Sequence, residues 1–172
     1  MWRSVSRSSA ALLVGLAAAT GTPAAETLEQ ALVRLFPPPG RLTQQALELS
    51  AEQARRVAAE AGAPLPSRTL TRYVGREGTV YVDTHLVRTA PETLLIVVDP
   101  AGKVARVEVL AFEEPREYLP SRRWFAQFEG RALEPELNLR RGIRALSGAS
   151  LSSEAATDAV RRALAVQRVV PP

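Results

Sequence analysis

The chain has 172 residues, with 22 Lys or Arg against 18 Asp or Glu, a formal charge of +4, no cysteine and one histidine. The lack of cysteine excludes iron–sulfur clusters, thioether-linked haem, disulfides and thiol catalysis. A single histidine argues against a zinc site or a Ser-His-Asp triad, so any redox chemistry must come from an organic cofactor.

Residues 1–25 read as a secretory signal. Arg3 and Arg7 form a positive start, residues 10–19 an apolar core, and Thr22-Pro23-Ala24-Ala25 a small-residue cleavage site. The core is too short to span a bilayer, which takes about 20 residues. Its removal leaves 147 residues, enough for one domain, and lowers the formal charge to +2. Only Lys103 is a lysine, and no basic run is interleaved with aromatics, so nucleic-acid binding has no support. The expectation is a soluble periplasmic protein, without an integral membrane segment once the signal is cleaved.

Residues 26–36 suit a short amphipathic helix stopped by Pro37-Pro38-Pro39-Gly40, and 42–49 a strand. Ser50 opens a second helix, with Gln53 placed for a capping box and Gly62 as its stop. From Thr69 the pattern turns to β. Segments 69–74 and 79–84 flank Gly75-Arg76-Glu77-Gly78, a hairpin signal, and 94–98 and 103–110 flank Asp99-Pro100-Ala101-Gly102, which suits a type I turn. The unbroken apolar run Leu94-Leu95-Ile96-Val97-Val98 implies a strand covered on both faces. Residues 113–120 read as a loop with Glu113 and Glu114 on a solvated edge, and 121–128 as a short helix. The fold class is therefore α+β: one domain, an antiparallel sheet of four or five strands covered by helices, and a C-terminal helix following a Ser-Gly-Ala-Ser loop.

That loop, Leu146-Ser147-Gly148-Ala149-Ser150-Leu151-Ser152-Ser153, is chemically the most specific segment. Helix starts present unpaired backbone N–H groups and a partial positive charge, which favour an anion. Gly148 and Ala149 keep side chains away from a bulky phosphate, and Ser147 and Ser152 can hydrogen-bond its oxygens or cap the helix. Ser152 or Ser153 is the expected N-cap, with Glu154 in the first turn of a helix running to about Gln167. Ala156, Ala159, Val160, Ala163 and Leu164 form its inner face, and Arg161, Arg162 and Arg168 suit its C-terminal half. By itself such a loop is most often only a turn and a cap.

The segment Ser147-Gly148-Ala149-Ser150 resembles the attachment motif of the FMN-binding domain family, Asp-x-x-(Ser/Thr)-Gly-Ala-(Thr/Ser). This family includes flavin-carrying subunits of Rnf-type complexes and sodium-pumping NADH:quinone reductases, and small extracytoplasmic flavoproteins. Segments 81–88, 95–102 and 124–130 are similar to the one-domain members and come in the same order, so the likeness covers residues 26–168. Arg144 stands where the motif has its acidic residue, and Ser150 where threonine is commoner. The resemblance implies FMN held by a phosphoester to Ser150, a flavin transferase for loading, and a membrane or periplasmic redox partner.

For the ring, Trp124 is a stacking candidate whose alternative is a core anchor, and His85 a hydrogen-bond candidate whose alternative is a structural partner. Arg88 and Arg144 are candidates for the phosphate or for the acidic loop. No catalytic constellation is visible, so the chain reads as an electron carrier rather than an enzyme with its own small-molecule substrate. Its rivals are a flavin-free periplasmic binding or assembly module, and noncovalent FMN or haem binding with His85 as candidate iron ligand.

Overall fold

The computed structural model describes residues 26–37 and 42–172. The segment read as a signal, residues 1–25, and the Pro38–Gly40 helix stop lie outside them. Five strands run as a meander in the order β1 (Thr43–Glu48), β2 (Thr69–Gly75), β3 (Gly78–Leu86), β4 (Pro91–Val98) and β5 (Val104–Phe112), each antiparallel to its neighbour. Four helices surround this sheet: α1 (Leu28–Leu35), α2 (Ala51–Ala61), α3 (Arg122–Phe125) and α4 (Ser150–Val169). The α+β single domain anticipated from the pattern is thus present, with five strands.

Local chemistry accounts for the boundaries. Thr27 and Gln30 form one capping box, and Ser50 and Gln53 another, each pair satisfying two backbone N–H groups that the helix start leaves unpaired. Gly62 ends α2 in the left-handed region at φ 64°, which a side chain would disfavour. In the β4–β5 turn, Gly102 N–H donates to the Asp99 carbonyl at 3.0 Å and Lys103 N–H to the Asp99 carboxylate at 2.9 Å. The segment 113–120 contains a single 3-10 turn at Arg116–Tyr118.

Because side chains alternate along a strand, β4 serves two cores. Leu94, Ile96 and Val98 pack beneath α4 together with Tyr81, Val104 and Val107, while Leu95 and Val97, with Val80 of β3, cluster with Ala31 of α1 and Phe36 at its end. This is the two-sided cover implied by the apolar run. On α4 the face read from the sequence is buried throughout, from Ala156 to Leu164, and α2 packs against the same helix.

Small apolar residues alone would let α4 rotate. Polar pairs set its orientation instead. Arg162 holds Asp83 of β3 with two hydrogen bonds of 2.8 and 3.0 Å, and the Tyr81 hydroxyl donates to Gln167. The buried Arg72 donates to the carbonyls of Val170 and Pro171 at 2.6 and 3.2 Å. Arg161 donates to the carbonyls of Ala61 and Leu137, tying the end of α2 to α4.

Leu94 is fully buried under this helix. Leu94→Ala is expected to cost about 2–5 kcal/mol through lost burial and a residual cavity. Urea unfolding should show a lower midpoint at unchanged slope.

Candidate functional site

The α4 start differs from the sequence expectation in an informative way. The helix begins at Ser150, four residues before Glu154, with Ala149 in the cap position and no side-chain cap. Ser153, expected as the cap, lies inside the first turn, where its hydroxyl accepts from Leu146 N–H at 3.0 Å and donates to the Ala149 carbonyl at 2.9 Å. It stitches the preceding loop to the helix from within. The N–H groups of Ser150, Leu151 and Ser152 consequently have no hydrogen-bond partner among the described residues.

The loop leading to this helix start is fixed at both ends. Trp124 Nε1 donates to the Arg144 carbonyl at 2.7 Å, and Arg144 N–H donates to Gln127 Oε1 at 3.0 Å. Gly148 then turns the chain at φ 81°, and a Cβ built there would meet nothing within 4 Å, so the space beside Ser150 is open. Only the backbone conformation demands glycine here.

Two clefts meet at this point. The first, of about 220 Å³, is lined by Gly148, Ala149, Ser150, Leu151 and Ser152 on one side and by Val87, Arg88, Glu114 and Tyr118 on the other. The second, of about 460 Å³, shares Val87 and Leu151 with the first and continues along α4 past Ala155 and Asp158 to His85 and Arg162. Leu86 and Leu151, both of which line it, are 67% and 50% exposed, an apolar rim in water.

The sequence candidates divide accordingly. Gly148, Ala149, Ser150 and Ser152 line the first cleft; Ser147 is exposed but does not line it. Arg88 is exposed within the cleft, whereas the exposed Arg144 lies outside its lining. Trp124 is a correction. It is buried against Phe125 and Phe128 with edge-on ring contacts of 5.1 and 5.4 Å, so its ring is not offered to a stacking partner.

Glu114 is a second correction, because it does not lie on a solvated edge. Its carboxylate accepts from the N–H groups of Thr89 and Ala90 at 2.7 and 2.9 Å and fixes the β3–β4 turn that forms one cleft wall. The backbone N–H of Thr89, then that of Ala90, hold its pKa below the usual carboxylate value. Val87, Tyr118, Leu151 and Arg162 also line the clefts, a role the sequence does not reveal because the walls are assembled from separate segments.

His85 is buried, and both ring nitrogens are engaged: Nδ1 with Asp83 at 2.8 Å and Nε2 with Glu92 at 3.2 Å. Neither nitrogen is left for iron, which removes the ligand of the haem alternative. Burial works against the imidazolium charge, but the hydrogen bonds to Asp83 and Glu92 outweigh it and lift the pKa above its ordinary 6.5. Burial likewise opposes the Asp83 carboxylate, and His85 and Arg162 together pull its pKa down.

An uncapped helix start, an exposed hydroxyl upon it and an open space for a bulky anion fit a phosphate ester. Residues 89–165 match the model of the FMN-binding domain. This segment belongs to the FMN-binding domain family. The match begins in the β3–β4 turn and runs to the last turn of α4, taking in Ser150 and both α4 sides of the clefts. It supports FMN as the cofactor of this domain. No curated protein and no solved structure matches the chain. Among the described residues, no helix of the domain is long and apolar enough to cross a membrane.

The protein should carry the His85 linkage in its pH profile. A raised pKa means that its stabilisation is complete below about 6.5 and is lost as the pH rises through the higher folded value. Thermal midpoints should therefore fall as the pH is raised above 6.5, and His85→Gln should flatten that limb. An unchanged slope in the variant would assign the effect elsewhere.

Proposed function

We propose that the chain is an exported electron carrier whose FMN is joined through its phosphate to Ser150. The uncapped α4 start carries this reading: three free N–H groups, an exposed hydroxyl and the positive helix end coincide beside one cleft. Leu151 and Ser152 N–H groups would take phosphate oxygens, and Arg88 would supply countercharge. Leu86, Val87 and Leu151 form a shelf for an apolar ring, and Glu114 keeps the opposing turn in place. When bound, the flavin supplies reversible electron uptake, and the protein supplies position and electrostatics.

The remaining parts of the reading follow from this one. Residues 26–88 belong to the same functional domain as the matched segment, because β3 and β4 share one continuous ladder. Residues 1–25 direct export and are then removed. A covalent link suits a compartment where free FMN is scarce and a dissociated cofactor would be lost. The redox partner docks transiently at the apolar rim of Leu86 and Leu151, and a flavin transferase loads the exposed 147–150 loop. Arg144, with its backbone pinned by Trp124 and Gln127, presents a cation where the family motif presents an acid.

Intact-protein mass after periplasmic co-expression with a flavin transferase from the same source tests this directly. The expected gain is one FMN less one water, absent in Ser150→Ala. Arg144→Asp, an exposed change, should load at least as fully. If neither protein gains mass beside a transferase active on another substrate, the covalent reading fails.

A further inference from the structure

Arg162 has an unusual environment for a buried arginine. It is 4% exposed, and two of its three nitrogens, Nε and Nη2, are bound side by side to Asp83. The third, Nη1, has no hydrogen-bond partner among the described residues, yet it is not among their sealed, unpartnered side-chain atoms, and the residue lines the second cleft. Asp158, one turn earlier on α4 and also in the lining, forms no ion pair with it, and burial pushes the Asp158 pKa up.

The guanidinium is held rigidly. Asp83 fixes its plane and is itself tied to His85, whose far side is tied to Glu92. A planar fork whose inner edge is occupied can offer its outer N–H groups in one direction only. The rest of the lining is mostly apolar, with Pro64, Pro66, Leu86, Val87, Leu151 and Ala155, beside the carboxylates of Glu154 and Asp158. From Leu151 to Arg162 the lining follows one face of α4 for about 16 Å along the axis. The first cleft, which holds the Ser150 hydroxyl, thus joins at Val87 and Leu151 a groove that ends at the fixed Arg162 guanidinium.

We propose that the second cleft seats the isoalloxazine and that Arg162 Nη1 donates to the carbonyl-bearing pyrimidine edge of the ring. This rests on the FMN reading above and adds the ring subsite to it. Phosphate at one end, apolar rings on the Leu151 shelf and a polar edge at Arg162 match the groove's sequence of chemistries from end to end. A hydrogen bond donated to that edge strengthens as electron density builds on the carbonyl oxygens, so this contact by itself favours the reduced ring over the oxidised one.

Riboflavin separates this subsite from the phosphate link, since it has the ring and ribityl chain but no phosphate. Apo Ser150→Ala protein should still bind it, read by quenching of flavin fluorescence. Arg162→Lys, which keeps a cation for Asp83 but loses the fork, should bind about tenfold more weakly or worse when introduced into that background. The urea midpoint of that variant verifies its fold, and Leu151→Asp, at an exposed position, should weaken binding with Arg162 intact. Unchanged affinity in both variants, or no riboflavin binding by the Ser150→Ala protein, overturns the subsite.

Should Arg162→Lys fail to fold, Leu151→Asp decides: weakened riboflavin binding in that variant supports the subsite, and unchanged affinity refutes it. The two readings fail separately: mass gain without these effects spares the Ser150 ester, and Arg162-dependent riboflavin binding without mass gain spares the ring subsite.

Discussion

The orientation of α4 about its own axis is the constraint on which the site depends. An α-helix advances about 100° per residue, so a slip of one position would carry Ser150 from the cleft wall to another side of the domain. The buried alanines and valines of this helix do not by themselves forbid such a slip. Three polar contacts at different heights do: Asp83 with Arg162, Tyr81 with Gln167, and Arg72 with the carbonyls of Val170 and Pro171. Breaking a buried charged pair typically costs about 3–5 kcal/mol, because the abandoned charge stays out of water. The helix is thereby keyed to the sheet, and everything at its first turn inherits that registration.

The same principle extends to the charges gathered beneath it. Asp83, His85, Glu92 and Arg162 bring two acids and two bases into one low-dielectric region, so their formal charges cancel when the imidazole is protonated. One Glu92 oxygen has no partner among the described residues, although the residue is fully buried. Strands β3 and β4 meet at these residues, with His85 directly opposite Glu92 in the ladder. The cluster therefore binds strand to strand as well as sheet to helix.

Much of this architecture could be read in the sequence where the signal was local. The capping box at Ser50, the Gly62 stop and the two β-turns each depend on residues a few positions apart, and each appears where the pattern places it. The start of α4 departs from the sequence pattern for a physical reason. Two serines in a row look like caps, but Ser153 serves the Leu146–Ala149 loop from inside the helix, a contact that depends on the loop folding back. Glu114, expected on a solvated edge, and the Trp124 N–H escape the pattern for the opposite reason. Their partners Thr89 and Arg144 lie 25 and 20 residues away, which no local pattern connects. The outer nitrogen of Arg162 belongs to the same class, since its orientation is set by Asp83, 79 positions distant.

The bond from Trp124 to the Arg144 carbonyl gives the molecule an internal optical gauge. The sequence has only one other tryptophan, Trp2, so among the described residues tryptophan emission originates at the base of the loop that carries Ser150. An indole whose N–H is bonded and whose ring is packed edge-on against Phe125 and Phe128 emits from a dry, rigid setting. Loosening of that loop would admit water to the indole and redden the light. An absorbing ring seated a few residues further along would instead drain the same emission by energy transfer, so colour and intensity separate movement of the loop from occupancy of the groove.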